Sequence, residues 1–113
     1  MHEMSIATGI RDIIEDTARS QGFRRITEIR LEIGAFSGVE VASLLFCLDV
    51  VLINTCATGA ELQVEIVPGQ GHCVRCNDSF LIKEFYEECP KCSSYPLRII
   101  SGMELRVKDL LIE

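Results

Sequence analysis

Two short cysteine pairs in the second half of the chain constrain its fold more than any other feature. Each pair has two residues between its cysteines, and 12 residues separate the pairs. The four residues are Cys73, Cys76, Cys89 and Cys92. A two-residue gap lets a tight turn direct both sulfurs to one point, and two such turns supply the four thiolates that tetrahedral Zn²⁺ prefers. The spacing predicts a structural zinc site, and its complete thiolate shell leaves no position for a substrate.

Iron in a rubredoxin-like site is the chemical competitor of zinc, because both metals accept four cysteines. Ser93 follows the second pair where rubredoxin-type sites have glycine, which favours zinc. Disulfides would require an oxidising compartment, and the N-terminus lacks the basic segment of a signal peptide. We therefore expect a cytoplasmic protein in which Cys47 and Cys56 are unligated thiols. His72 is expected to be a polar loop residue, with an exchangeable fifth ligand as the alternative.

The sequence on either side of the cysteines has the periodicity of a small α+β domain. Apolar residues recur at helical spacing in two segments and alternate with polar residues in three others. We expect Thr27 on the first strand and Ile66 on the second to face inward. The predicted helices and strands span, in chain order, 4–19 (helix), 26–33 (strand), 39–51 (helix), 61–67 (strand) and a last strand that begins after Gly102.

The last strand is expected to return to the sheet formed by the first two. Two helices on a three-stranded sheet would then form one domain from 1–69 plus 101–113. Residues 70–100 would form an inserted zinc-ribbon domain, which is too small to bury its own core and needs a bound metal ion to stabilise it.

The net charge of −6 argues against a nucleic-acid-binding protein, although zinc ribbons often bind nucleic acids. Within 70–100 four cationic residues are balanced by four carboxylates. No apolar run is long enough for a transmembrane helix, so we do not expect a membrane protein. The sequence contains no apparent catalytic triad or phosphate loop that would indicate a reaction, so we do not expect an enzyme. The aromatic residues of the ribbon are expected to pack over the zinc turns; they are Phe80, Phe85, Tyr86 and Tyr95.

The N-terminus offers a second set of metal donors. The α-amine of Met1, together with the amide and imidazole nitrogens of His2, can close a five-membered and a six-membered chelate ring. A planar, nitrogen-rich set of this kind suits Ni²⁺ or Cu²⁺. Taken alone the pattern is weak, because a histidine near a terminus is usually only solvated. Glu3 could equally be a carboxylate in the first turn of a helix.

These pieces, read together, resemble the HypA/HybF family of hydrogenase maturation nickel metallochaperones over essentially the full length, in matching order and spacing. The resemblance rests on the two cysteine pairs and on four segments, which are Met1-His2-Glu3-Met4-Ser5, Arg30-Leu31-Glu32-Ile33-Gly34, Ser37-Gly38-Val39-Glu40 and Glu104-Leu105-Arg106-Val107-Lys108.

The resemblance implies two metals with different roles. His2 would bind Ni²⁺ through its imidazole and amide nitrogens, Met1 through its α-amine, and Glu3 through its amide or side chain. Glu40 lies where an acidic residue is associated with the nickel site. The four cysteines match the structural zinc ligands, and the implied fold is a nickel domain of two helices and a three-stranded sheet with an inserted zinc domain.

The resemblance also implies a function and partners. The chain would bind nickel as transferable cargo and deliver it for the active site of [NiFe] hydrogenase, with urease as a further recipient in some organisms. Its partners would be the nickel-handling GTPase of the pathway and the hydrogenase large-subunit precursor. Apart from the resemblance, a zinc module inserted between two strands leaves open a homodimer in which the last strand is swapped. The chain departs from the family at Ser93-Ser94, where members often carry glycine or histidine, and at Met103, where many carry an acidic residue.

Overall fold

The structure, a computed structural model, describes residues 2–113. Within this range the chain forms an α+β fold with two three-stranded sheets, whose strand orders are β2-β1-β6 and β4-β3-β5. The elements are α1 (Glu3–Gln21), β1 (Ile26–Gly34), α2 (Val41–Val51), β2 (Glu61–Val67), β3 (Gln70–Cys73), β4 (Asp78–Leu81), β5 (Arg98–Ser101) and β6 (Leu105–Ile112). The expected α+β class is confirmed, and so is the return of the last strand to the sheet of the first two.

The chain divides into two compact units. The first contains the described residues through Leu31 together with Gly38–Val64 and Val107–Glu113, and the second contains Glu32–Ser37 and Glu65–Arg106. The domain boundaries expected from the sequence stay a prediction. No helix within 2–113 is both long enough and apolar enough to cross a membrane.

The first unit is built around the packing of α1 on α2. The apolar stripes predicted from the sequence supply the buried positions, and α1 ends at Gly22, whose φ of 77° is the left-handed conformation that glycine adopts without strain. The buried residues of this unit are Ala7, Ile10, Ile14, Ala18, Ile26, Ile29, Leu31, Leu44, Leu48, Leu52 and Ala57.

Two inward-facing positions expected from strict alternation are wrong. Thr27 is exposed, and its hydroxyl donates to the carbonyl oxygen of Leu111 at 3.2 Å, while Ile26 takes the buried position instead. Ile66 is 53% exposed, because alternation breaks near the end of β2 and leaves two successive exposed residues. As an edge strand, β2 has only one neighbour to bury it.

In the second unit three backbone segments approach so closely that only glycine fits. The amide of Gly34 donates to the carbonyl of Glu104 at 2.7 Å, and the amide of Phe36 donates to that of Gly102 at 2.6 Å. A Cβ on Gly69 would lie 2.2 Å from the Phe36 ring. These contacts tie residues 34–36 to the segments that precede β3 and follow β5.

Replacing Gly34 with alanine should destabilise the protein by about 3 kcal/mol, because overpacking against a fixed backbone forces strands apart. The new Cβ would lie 2.0 Å from the Gly102 carbonyl oxygen, a backbone atom that cannot swing away. Gly9→Ala in α1 is the matched control, because its Cβ meets nothing within 4 Å. It should gain roughly 0.5–1 kcal/mol from helix propensity. Urea unfolding of the zinc-loaded proteins measures both, and equal stability of the two variants would contradict the prediction.

Candidate metal centres

The four predicted zinc ligands converge in the second unit. Their Sγ atoms all lie within 4.8 Å of one another. Two of them are buried and two are half-buried. Within residues 2–113 this is the only group of three or more candidate ligands that the fold gathers at one point. Cys47 and Cys56 lie outside the group and are free thiols.

The two cysteine turns share a backbone hydrogen bond and a left-handed residue. The amide of Asn77 donates to the carbonyl of Cys73 at 2.7 Å, and the amide of Ser93 donates to that of Cys89 at 2.8 Å. Asn77 and Ser93 have φ of 58° and 61°, in the left-handed region that asparagine and glycine tolerate best. In each turn a following amide also donates to the sulfur of the first cysteine at 3.4 Å. Ser93, after the second pair, therefore adopts a left-handed backbone conformation of the kind that glycine favours.

In two thiols of the cluster, hydrogen bonding shifts the pKa in opposite directions. Hydrogen bonds from the Ser94 hydroxyl and amide lower the pKa of Cys92 to about 6, and the two side chains lie 3.0 Å apart. Hydrogen bonding to Cys92 and burial raise the pKa of Cys76 to about 12. Four adjacent sulfurs cannot all ionise unless a cation balances their charge. The donor set and its closed arrangement fit a structural Zn²⁺.

The surroundings of the cysteines are apolar. Cys73 and Cys89 are buried with Ile82 and Leu97, and partly buried side chains pack against this cluster. The partly buried apolar side chains around it are Phe36, Phe80 and Ile99. A core with only four buried residues, two of them cysteines, is consistent with a module that depends on metal.

The expectation that all four ribbon aromatics cover the zinc turns is wrong for the two tyrosines. Tyr86 and Tyr95 are 70% and 61% exposed. Phe80 does pack against the cysteine cluster, whereas Phe85 stacks on Phe36 with ring centroids 4.5 Å apart. The phenol groups remain in water because a buried hydroxyl needs a hydrogen-bond partner.

His72 does not join the cysteine group. It lies in β3 beside Cys73, but neighbouring residues of a strand point to opposite faces of the sheet. Its Nδ1 instead lies 2.9 Å from the Oγ of Ser79 on β4. The expected polar role of His72 is therefore correct, but it belongs to a strand and not to a loop.

At the other end of the chain, the described N-terminal donors lie in the first unit. His2 is exposed and immediately precedes α1, where its carbonyl oxygen accepts from the Ile6 amide at 3.2 Å. Met1 and its α-amine lie outside the described residues. The structure thus places the His2 side chain at an accessible helix start.

Glu3 and Glu40 are brought together although they are far apart in sequence. The Glu40 amide donates to Oε2 of Glu3 at 3.1 Å. Glu40 is itself the N-cap of α2, and its Oε1 accepts from the Ser43 amide at 3.3 Å. This cap explains why α2 begins at Val41 and not at 39. Sequence periodicity could not reveal the contact, because it joins two separate elements.

The electrostatics of this contact favour negative charge. Hydrogen bonds from the Glu40 amide and from its own amide lower the pKa of Glu3 below its usual value, against an opposing effect of burial. Glu3 lies in the first turn of α1, and Glu40 caps α2. Helix N-termini stabilise carboxylates, and the Glu3 carboxylate lies where α1 begins and accepts from the residue that caps α2. A carboxylate accepts several hydrogen bonds, which leaves capacity for a cation.

Comparison with known proteins places this architecture in one family. A family model described as "Hydrogenase/urease nickel incorporation, metallochaperone, hypA" matches residues 1–112. A hydrogenase maturation factor HypA of Azoarcus sp. (strain BH72) is 47% identical over 112 residues, covering 99% of this chain and 98% of the relative. Its counterpart in Azotobacter chroococcum mcd 1 is 46% identical over 113 residues, with 100% of both chains covered.

Solved structures support the same fold. The solution structure of the Ni metallochaperone HypA from Helicobacter pylori has a TM-score of 0.73 at 22% identity, covering 99% of this chain and 97% of that one. A second HypA solution structure has a TM-score of 0.76, also at 22% identity. Since the family match leaves almost none of the sequence outside it, this chain belongs to the HypA family of hydrogenase and urease nickel-incorporation metallochaperones.

Proposed function

We propose that this chain binds Ni²⁺ at its N-terminus and delivers it for maturation of the [NiFe] hydrogenase active site. The observation that carries the proposal is the family match over residues 1–112 in a chain that opens Met1-His2-Glu3. In this proposal the donors are the Met1 amine and the His2 amide and imidazole. Glu3 and Glu40 assist at the same site.

The arrangement of the described residues supports a transferable cargo. His2 and Glu40 are exposed, and Glu3 is half-buried. Metal at such a site would be accessible to an acceptor, unlike metal inside a buried thiolate shell. The Glu40 amide holds the Glu3 carboxylate, and the Ser43 amide holds the Glu40 carboxylate. Both groups lie at helix N-termini and would supply negative charge for a divalent cation.

The remaining assignments follow from the different roles of the two metals, with zinc structural and nickel transferred. Zn²⁺ held by the four cysteines would stabilise the second unit, and its filled shell offers no position for catalysis. We therefore assign no enzymatic reaction to the chain. Its partners would be a nickel-handling GTPase and the hydrogenase large-subunit precursor, met in the cytoplasm, with nucleic acid excluded by the charge of −6.

Urease is the second candidate recipient of the nickel. The description of the matching family names hydrogenase and urease together. In this proposal the same N-terminal site would serve both recipients.

Delivery can be tested by complementing a strain that lacks its own HypA. The wild-type chain should restore hydrogenase activity, whereas His2→Ala should restore less than about a tenth of it, because the cargo site loses its imidazole. Excess nickel in the medium should bypass the defect. Arg24→Gln is the control, since Arg24 is exposed and lies outside the nickel donors and the cysteine group. Full activity with His2→Ala, or equal losses in both variants, would contradict the proposal.

A further inference from the structure

The sheet of the zinc unit has one face that its own core does not use. Register pairs Gly71 with Phe80 and with Ile99, and Phe80 and Ile99 belong to the apolar cluster around the cysteines. Residues at alternate positions must therefore point away from that cluster. We call this side the outer face. It consists of Gln70, His72, Ser79, Leu81, Arg98, Ile100 and Ser101, the last of which is the register partner of Gln70.

The centre of the outer face is polar. His72 is paired in register with Ser79 on one side and with Arg98 on the other. Its Nδ1 contacts the Ser79 hydroxyl at 2.9 Å, and the second ring nitrogen retains its own hydrogen-bonding capacity. A guanidinium, an imidazole and a hydroxyl thus lie side by side across three strands.

Exposed aliphatic side chains adjoin this polar centre. Leu81 is 69% exposed and pairs with Gln70, one alternate position along β3 from His72. Ile100 is 44% exposed and lies where the β3–β5 register shifts. A contact surface with an apolar area next to hydrogen-bonding groups is typical of protein recognition.

The charge on the outer face is cationic and unbalanced. None of its seven residues is a carboxylate, and within 2–113 Arg98 takes part in no ion pair. The only acidic residue of the three strands is Asp78, which is paired in register with the inward-facing Cys73 and forms an ion pair with Lys91. The Arg98 guanidinium is therefore available to a carboxylate from outside the chain.

We propose that the outer face binds an acidic, extended segment of another protein, in which a carboxylate pairs with Arg98 and flanking apolar side chains cover Leu81 and Ile100. The planar guanidinium donates two parallel hydrogen bonds to a carboxylate, and His72 and Ser79 add hydrogen-bonding groups beside it. This function is separate from nickel binding and does not depend on it.

Other occupants fit the face less well. A second copy docked by the same face about a twofold axis would leave both Arg98 side chains without a carboxylate, because the face has none. A nucleic acid requires several cations along its backbone, and the face has one guanidinium on an acidic protein. A free anion would leave the aliphatic side chains uncovered.

The probe for this proposal is a set of blocked heptapeptides with a central glutamate flanked by valine, isoleucine, leucine or phenylalanine. Matched peptides carry glutamine at the centre. Binding to the zinc-loaded full chain would be measured by fluorescence anisotropy and located by amide chemical shifts. We expect glutamate peptides to shift β3, β4 and β5 signals, and the glutamine change to weaken binding about tenfold, the usual effect of losing a charge-assisted hydrogen bond.

Protein variants distinguish an effect of the Arg98 charge on peptide binding from an effect of misfolding. Arg98→Gln should also weaken binding about tenfold, and Leu81→Ser should weaken it through lost apolar contact. Arg24→Gln, which removes the same charge from an exposed arginine elsewhere, should leave the affinity unchanged. Zinc content and the dispersion of amide signals confirm that each variant is folded. Nickel binding should be equal in all of them, so failure here is distinguishable from failure of the nickel proposal.

Several results would overturn the proposal. They are the absence of binding by every glutamate peptide, equal binding of the glutamine peptides, and equal losses in Arg98→Gln and Arg24→Gln. Concentration-dependent dimerisation that Arg98→Gln abolishes would assign the face to a second copy instead. Competition by a single-stranded oligonucleotide, or inorganic phosphate binding as tightly as the peptides, would assign it to phosphate recognition.

Discussion

His2→Ala should weaken Ni²⁺ binding by about a hundredfold or more while zinc content stays at about one ion per chain. Mutating a residue that hydrogen-bonds to a metal ligand typically weakens metal affinity by about 10–100-fold, so loss of a direct ligand should weaken it at least as much. The variant removes the imidazole donor from the nickel site and changes no residue of the second unit, where the cysteines lie. Isothermal titration of an untagged, zinc-loaded protein measures nickel affinity, and elemental analysis measures zinc.

Three companion variants define the donor set. One extra residue before Met1 should weaken binding as strongly as His2→Ala, because it separates the α-amine from the histidine. Glu40→Gln should have a smaller effect, of about tenfold or less, if its carboxylate contributes charge from the second helix. His72→Ala should bind nickel like the wild type. Since protons compete for nitrogen donors, the affinity should also fall as the pH is lowered. Unchanged nickel affinity in His2→Ala or in the extended chain would contradict the proposed site.

The sequence sufficed for those parts of the fold that depend on local repetition. The stripes of Ile10, Ile14, Leu44 and Leu48 are all buried, because a helix of period 3.6 puts them on one side. The four zinc ligands could be predicted equally well, since each tight turn forms within four residues. In both cases the information lies within one element.

Predictions failed where a side chain's environment came from another element. Alternation alone could not show that Thr27 would find a carbonyl acceptor on β6. It also could not show that Ile66 would lie near the end of an edge strand. The Glu3–Glu40 contact spans 37 positions and depends on how two helices pack. The family resemblance pointed to both residues, but only the structure showed their hydrogen bond.

Removing zinc should unfold the ribbon and leave the helices folded. Structural zinc contributes roughly 10–16 kcal/mol of binding free energy in small zinc-finger peptides, which is folding free energy when the site does not exist in the unfolded state. Here the apolar cluster has four buried residues, and two of them are the thiol ligands Cys73 and Cys89. Without the cation, the crowded thiolates repel one another or must take up protons, and little apolar burial remains to oppose chain entropy.

Amide spectra recorded during titration with a strong chelator would test this, because the two units have separate cores. Signals of β3, β4 and β5 should collapse toward random-coil positions, whereas those of α1 and α2 should persist with their far-ultraviolet helical signal. Cys73→Ser should reproduce the collapse even with zinc present, because the remaining three thiolates cannot complete the shell. Cys56→Ser is the matched control, since Cys56 is a free thiol outside the cluster. A chelated protein that keeps its ribbon signals would show that packing, and not the metal, holds the second unit together.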